Sequence, residues 1–264
     1  ITESELTGNL YNVFDLTYIE YTDFTEYFHG YQNIVFLSSG SNYSISEKKQ
    51  KWHKFQTVLD FTIDSLTNEK ELQLMSSKLI NQIKEKELYR RINKHKNRAK
   101  KEISQFIQRE FMLNISLSNN YSIVDTASGF IDIRRDFENS IHRIILSKTQ
   151  RDTKISKNNV IKEINKISKN NIFSETQGAF ANIDDINANV YIESLPDKTN
   201  ILELRALWKM YNDPAPMGGP MLAYVINDKK IKQSIIFIYY IFAPGEDKAE
   251  HLIEAEAVGK SLFY

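Results

Sequence analysis

From Asn68 to Phe111 the chain runs 44 residues without a glycine or a proline. Nothing in such a stretch interrupts a helix, and Thr67 or Asn68 is well placed to cap its start. Leu72, Met75, Leu79 and Ile83 recur at helical spacing; the phase then slips, and Leu88, Ile92, Ala99, Ile103, Phe106 and Phe111 take over. One continuous helix of that length would span about 66 Å at 1.5 Å per residue, longer than most domains are wide. The spacing therefore predicts a kink or break between Ile83 and Lys96, where the apolar stripe is thinnest. The basic residues Lys94, Lys96, Arg98, Lys100 and Lys101 read as solvated surface or as a face for an acidic protein partner. Nucleic-acid binding would call for interleaved aromatics or a recognised module, and this stretch has neither.

Strand patterns flank the helix. "YNVFDLTYIEY" from Tyr11, "NIVFLSS" and "FQTVLDFTID" alternate as strands, with "TDFTEYFHGY" as a short helix and "SGSNYSISEKKQKWHK" as a loop. Beyond the helix, "NISLSNNYSIVDTASGFIDIRRDF" and "SIHRIILSK" supply three strands, turned at Asn119-Asn120 and Ser128-Gly129. "RDTKISK" is a polar connector, and "NNVIKEINKISKNNI" an amphipathic helix with Val160, Ile161, Ile164 and Ile167 on one face. Residues 173–188 are ambiguous. Strands follow at about 189–195, 201–211, 220–228 and 233–243, before a closing helix carrying Leu252, Ile253, Ala257 and Leu262. Strands joined by short turns, with helices between groups, predict an α+β fold of antiparallel sheets with packed helices. One long kinked helix would link an N-terminal α+β lobe (1–111, connector included) to a C-terminal α/β/α sandwich (112–264).

Formal net charge is zero, with 34 basic and 34 acidic residues, so bulk charge points to no nucleic acid or membrane surface. Residues 1–47 nevertheless hold seven acids and no Lys or Arg, while residues 84–110 hold ten basics against four acids. These blocks read either as partner surfaces or as two solvated faces that balance. There is no cysteine, hence no disulfide scaffold, thiolate nucleophile or cysteine metal site. The longest apolar run, "IIFIYYIFA" from Ile235, is nine residues, a buried strand rather than a membrane helix. The chain starts at Ile1 without an initiator Met, as expected if a leader was removed or the start is not represented.

Residues suited to chemistry are sparse. His29, His53, His95, His142 and His251 stand apart, with no metal-ligand spacing. Asp184-Asp185 and Glu250/Glu254 read as solvated carboxylates, and no nucleophile elbow, P-loop or dinucleotide fingerprint is present. No catalytic residue, metal ligand or cofactor is expected. Trp52, among Lys48, Lys49, Lys51, His53 and Lys54, could serve an anionic surface or lie flat on the protein. The densest stretch is "ELRALWKMYNDPAPMGGPMLAYVIND", residues 203–228. Leu204, Ala206, Trp208 and Met210 share one face, which the closing helix is expected to cover. "NDPAP" leaves the strand, and "MGGP" is expected to reverse the chain with φ > 0 at glycine. Trp208, Met217, Gly218 and Gly219, with Trp52, are the candidate binding residues; a structural turn that keeps Trp208 in the core is the competing reading.

"RALWKMYNDPAPMGGPMLAYVINDKKIKQSIIFIYYIFAP", followed by a helix ending "GKSLFY", resembles an uncharacterised envelope lipoprotein family of Bacteroidetes. That family ends in a similar R-x-L-W … M-G-G-P-[FM]-x-x-Y … V-x-A-P pattern. "NVFDL", "FTEYFHGYQNIVFL" and "ISLSNNYSIV" are similar to further segments of it, so the likeness runs along most of the chain. The resemblance implies an outer-membrane lipoprotein held by a lipid-modified cysteine upstream of Ile1, with protein partners in the cell envelope and no catalytic residues. The order of elements in the C-terminal half is also similar to a PsbP/Mog1-like sandwich. A non-catalytic binding or assembly component is the expected function. The alternative is an envelope hydrolase or small-ligand protein with a site near Trp208 and the MGGP turn.

Overall fold

The computed structural model describes residues 3–6, 9–12, 14–48, 51–64, 68–149, 156–172, 174–194, 200–228 and 233–263. Thr67 and most of the "RDTKISK" connector lie outside them. The chain divides into two compact units, one holding residues 1–3 and 12–91 and the other residues 4–11 and 92–264. The division falls between Arg91 and Ile92, not after Phe111.

β1 (Glu3–Leu6) and β2 (Asn9–Asn12) pair as a two-stranded sheet. Residues 14–20 then run without regular structure, shorter on strand than the Tyr11–Tyr21 pattern suggests. Two single-turn 3₁₀ helices, Tyr21–Asp23 and Glu26–Gly30, stand where one short helix is predicted. β3 (Asn33–Gly40), β4 (Ser44–Glu47) and β5 (Thr57–Asp64) form a sheet ordered β3-β5-β4. β5 takes the centre because it alone is apolar enough to be buried along most of its length. β4 lies in the stretch read as a loop, and its connection lets β3 run parallel to β5, an exception to the antiparallel expectation. α1 (Glu69–Asn97) starts with Asn68 accepting from the Glu71 N–H at 3.0 Å. It is fastened by Arg90, which donates to the Phe55 carbonyl (2.9 Å), Thr57 Oγ1 (3.1 Å) and Asn33 Oδ1 (2.7 Å).

The break comes at Arg98–Lys100, just past the predicted window, and α2 (Lys101–Phe111) follows. Long-range backbone pairing sets its place: Ala99 bridges to Ser118, and the Lys100 N–H reaches the Leu117 carbonyl. These bonds draw Lys100 into an extended conformation that a helix cannot contain. In α2, Ile103, Ile107 and Phe111 lie four residues apart and are all buried in the C-terminal core, so this helix belongs to the second unit.

The second unit is built on a seven-stranded sheet of β6 (Ser122–Ala127), β7 (Phe130–Asp136), β8 (Ile141–Lys148), β9 (Phe180–Ser194), β10 (Asn200–Tyr211), β11 (Gly218–Asp228) and β12 (Gln233–Phe242). Its order is β6-β7-β8-β12-β11-β10-β9, with every pairing antiparallel. Two meanders thus meet at β8 and β12. α3 (Lys157–Asn171), capped by Ser156, connects β8 to the far edge strand β9. β9 begins nine residues before the predicted strand. As an edge, its Asn182, Asp184 and Asp185 reach water, which hides the strand pattern.

Side chains alternate between two cores. One contains Val160, Ile161 and Ile164 of α3 with Leu202, Leu204, Ala206, Ile236 and Ile238. The other contains Ile103 and Ile107 of α2 with Ile131, Ile133, Tyr224 and Phe237, covered by Leu252 and Val258 of α4 (Ala249–Lys260). Helices therefore lie on both faces of the sheet, an α+β architecture with an α/β/α-like second unit.

Ile107→Ala should cost roughly 2–5 kcal/mol, as a large-to-small change at a fully buried site. Leu74→Ala, on an exposed part of α1, should stay within about 0.5 kcal/mol. Urea unfolding followed by circular dichroism checks both.

Candidate functional site

Trp208 lies on the face opposite to the one the closing helix covers. It shares period two with Leu202, Leu204 and Ala206, and that parity faces α3. The other parity of β10, with Ile201, Glu203 and Arg205, is covered as well, so the pattern alone could not choose the covering helix. α4 takes the other face, where Gly259 leaves room for Tyr224: a Cβ on Gly259 would come within 2.4 Å of that ring.

Trp208 pairs across the ladder with Gly219, and Lys209 with Gly218. The indole lies edge-to-face on Tyr240, with centroids 6.0 Å apart, and its Nε1 donates to the Ile241 carbonyl at 3.0 Å. That carbonyl belongs to β12, two strands away, so the indole must cross β11. Glycine makes the crossing possible: a Cβ on Gly219 would stand 2.1 Å from the Ile241 oxygen, and one on Gly218 would stand 2.5 Å from the Trp208 oxygen. Neither glycine has a positive φ; the left-handed residue of this turn is Asn212, at φ 57°. The glycines are therefore required by close approach within the sheet, not by chain reversal. The Met217 carbonyl accepts the Met210 N–H at 2.8 Å, and Asp213 closes the turn by accepting from the Ala215 N–H at 2.8 Å and from Ser174.

Trp52 belongs to the other unit. It stacks on His29 with centroids 4.1 Å apart, beside Phe24 and Phe36, and Lys51 Nζ stands 4.2 Å over its ring. The cation of this loop is engaged with the protein's own aromatic cluster.

The histidines that stand apart in sequence do not all stand apart in space. His142 of β8 lies between Tyr239 of β12 and His251 of α4: Nδ1 is 2.7 Å from the Tyr239 hydroxyl, and Nε2 is 2.8 Å from His251 Nδ1. His251 Nε2 is 2.7 Å from Glu246, and the Tyr239 hydroxyl is 2.7 Å from that of Tyr121. Tyr121, Tyr239 and His142 are buried, while His251 and Glu246 are half-buried. Beside this chain, Glu254 of α4 is held by Arg135 of β7 (3.0 Å) and by the buried His95 of α1 (3.1 Å). A signal was available: His142 shares parity with Ile144 and Leu146, and Tyr239 with Phe237 and Ile241, so polar groups occupy an otherwise apolar face.

Burial, reinforced by His251, lowers the His142 pKa to about 3, so the ring is neutral in the fold. Burial also raises the Tyr121 and Tyr239 hydroxyls well above their ordinary range, with Glu254 adding to the rise. A second polar cluster links β10 to α4. Arg205 ion-pairs with the buried Glu203 and with Glu256, and these carboxylates outweigh the burial that would otherwise ease its deprotonation. An open groove between α2 and β6 is lined by Glu102, Phe106, Arg109 and Ile123. Among the described residues no group of three or more His, Cys, Asp or Glu side chains could hold a metal ion, and no helix is long and apolar enough to cross a membrane.

Residues 100–261, more than half of the chain, match the family described as "Domain of unknown function (DUF4837)". No curated protein matches. Among solved structures, the chain is similar to a STAR-related lipid transfer protein (fragment 25-204) from Xanthomonas axonopodis, at 12% identity. That likeness covers 55% of this chain and 97% of that one, with a TM-score of 0.25, too low to equate the two folds.

Two outcomes are expected. Gly219→Ala should destabilise by roughly 1–3 kcal/mol, because the added carbon meets a backbone oxygen that cannot swing away; Trp208→Ala should cost roughly 3–5 kcal/mol. Thermal melting measures both. For His142 the unfolded state binds the proton at about pH 6.5 and the fold only near 3, so between those values the unfolded chain holds more protons. Stability from this group is present above pH 6.5 and falls as pH drops toward 3, by up to about 1.4 kcal/mol per pH unit. The difference between wild-type and His142→Asn unfolding curves across that window should show this slope.

Proposed function

This chain belongs to the DUF4837 family, a domain of unknown function, and we propose that it is a non-catalytic binding or assembly component of a cell-envelope protein complex. One observation carries the reading. In residues 14–31, Leu16, Tyr18, Tyr21 and Tyr27 are 80%, 77%, 82% and 77% exposed, interleaved with exposed Asp15, Glu20, Asp23 and Glu26. Several of these rings rest on an aromatic base: Tyr21 meets Phe36 edge-on at 6.2 Å, Tyr27 meets Phe28 at 5.2 Å, and Phe24 lies against Phe28 and Trp52. Rigid tyrosines offer a large contact area at little conformational cost and are enriched where proteins bind proteins. The carboxylates suit a partner rich in Arg or Lys.

The cell-envelope part of the proposal draws on the motif resemblance along the C-terminal half, as does outer-membrane attachment through a lipid-modified cysteine outside these 264 residues. In the same reading the second unit is PsbP/Mog1-like in topology, since helices cover both faces of one antiparallel sheet. A ligand site at Trp208 is not favoured, because its indole N–H is already bonded and its ring buried.

The test uses tagged full-length protein captured from its native envelope after mild crosslinking. Tyr21→Ala and Tyr27→Ala should each weaken recovery of the specific partner about five-fold or more, with unchanged melting temperature. Undiminished capture by both variants would overturn the proposal. Incorporation of a fatty-acid label into the native protein tests the lipid anchor separately.

A further inference from the structure

A strand at the edge of a sheet presents a row of unpaired N–H and C=O groups, and folds blunt such edges with charge, proline, a bulge or shortness. In the two larger sheets, three of the four outer strands carry these devices. β4 is four residues long and ends in Glu47. β6 carries Asp125 and a register shift between Ile123 and Asp125. β9 carries Asp184 and Asp185, and its pairing with β10 shifts between Arg205 and Leu207. β3, "NIVFLSSG", has none of them. It runs eight residues without a charge or a proline, in unbroken register with β5 from Asn33 to Gly40.

In a parallel ladder, alternate residues of a strand turn both backbone groups to the neighbour, and the residues between them turn both away. The Thr57 N–H donates to the Gln32 carbonyl, and Asn33 stands opposite Thr57. Ile34, Phe36 and Ser38 therefore bond to β5, while Asn33, Val35, Leu37 and Ser39 direct N–H and C=O outward. Among the described residues no strand pairs with that side, and the Leu37 side chain is 59% exposed. The same strand supplies Phe36, on which Tyr21 and Phe24 rest with centroids 6.2 and 5.3 Å away. The open edge is thus continuous with the aromatic strip of residues 14–31.

We infer that β3 receives an extended strand of the protein partner, paired through Val35 and Leu37 and flanked by Lys or Arg. The inference rests on the partner-binding reading above and specifies the form and charge of the segment bound. In strand addition the main-chain bonds supply affinity, and alternate side chains supply specificity. Charge decides the occupant. Asp15, Glu20, Asp23 and Glu26 stand exposed along the adjoining segment. The lysines on this side are engaged: Lys48 pairs with Asp60 at 2.7 Å, and Lys51 lies over the rings of Phe36 and Trp52. A second copy of the chain is a poor match. The outer strands named above carry acids or no charge, and its basic block lies mostly on α1 and α2. Pairing β3 with β3 would also bring two acidic segments together, which like-charge repulsion opposes.

Two synthetic peptides with the same alternating Val-Thr centre, one flanked by lysines and one by glutamates, test this by amide hydrogen exchange in ¹⁵N-labelled full-length protein. In the free protein the Val35, Leu37 and Ser39 amides should exchange fast while Phe36 is protected. The lysine-flanked peptide should slow those three about ten-fold or more, and the glutamate-flanked peptide should not. Leu37→Pro removes an outward N–H without touching the ladder, so it should abolish the slowing at Val35 at an unchanged melting temperature. Leu37→Ala keeps the N–H and should preserve the slowing. No slowing, equal slowing by both peptides, or slowing at Val35 that survives Leu37→Pro would overturn the inference. So would concentration-dependent protection of the same amides without peptide, which marks pairing between copies. If Tyr21→Ala and Tyr27→Ala lose partner capture while the β3 amides stay unprotected, the aromatic face stands and the strand addition falls.

Discussion

The second unit depends on the pairing of β8 with β12. Each strand belongs to a separate meander, and their antiparallel register, with Ile145 opposite Ile238 and Leu146 opposite Phe237, makes one sheet of the two. β12 is buried on both faces over most of its length, and β8 over its stretch Ile144–Leu146. The nine-residue apolar run from Ile235 exists for this position: Ile236 and Ile238 enter the core under α3, while Phe237 and Tyr239 enter the core under α2 and α4. Each side chain removed from water there adds about 1.5–3 kcal/mol before entropy is counted, and no edge remains at the centre of the sheet.

Burial on both faces obliges the sheet to satisfy its polar side chains internally. Toward α3, Asp132 takes Arg143 in a two-point contact, and Arg143 also donates to the Asn171 carbonyl at the end of the helix. Ser168 of the same helix stands 2.6 Å from the Tyr240 hydroxyl. Toward α4, the Glu203–Arg205–Glu256 cluster and the His142–Tyr239 chain do the same. Such pairs add little net stability compared with apolar substitutes, but a partner left alone in the core is costly. They therefore hold each helix to one register on its face.

The first unit follows a different logic. Its sheet is small, its central strand is covered, and its aromatic residues serve two ends. Phe24, Phe36 and Trp52 pack against one another, whereas Tyr18, Tyr21 and Tyr27 stand in water above an acidic segment. This exposed aromatic strip, with no Lys or Arg in the first 47 residues, is the surface on which the proposed partner binding rests.

Much of this was legible in the sequence because it depends on local period. The helical recurrence of Ile103 and Phe111, the α3 face of Val160, Ile161 and Ile164 and the parity of Trp208 with Leu204 and Ala206 follow from 3.6- and 2-residue repeats, and the Ser128-Gly129 turn from glycine's access to positive φ. A period states which side chains share a face; it does not state what covers that face. Tertiary structure alone placed Trp208 under α3, because both parities of β10 are covered and only the packing of α4 on Tyr224 decides between them. It also ran β3 parallel to β5 and ended α1 at Asn97, where Ala99 pairs with a residue beyond the next helix. The histidine–tyrosine chain joins positions 121, 142, 239, 246 and 251, brought together only when two distant meanders share a sheet. Sequence determined the elements and their apolar faces through local sterics and periodicity; contacts between distant segments, selected by the burial they jointly achieve, decided the partners.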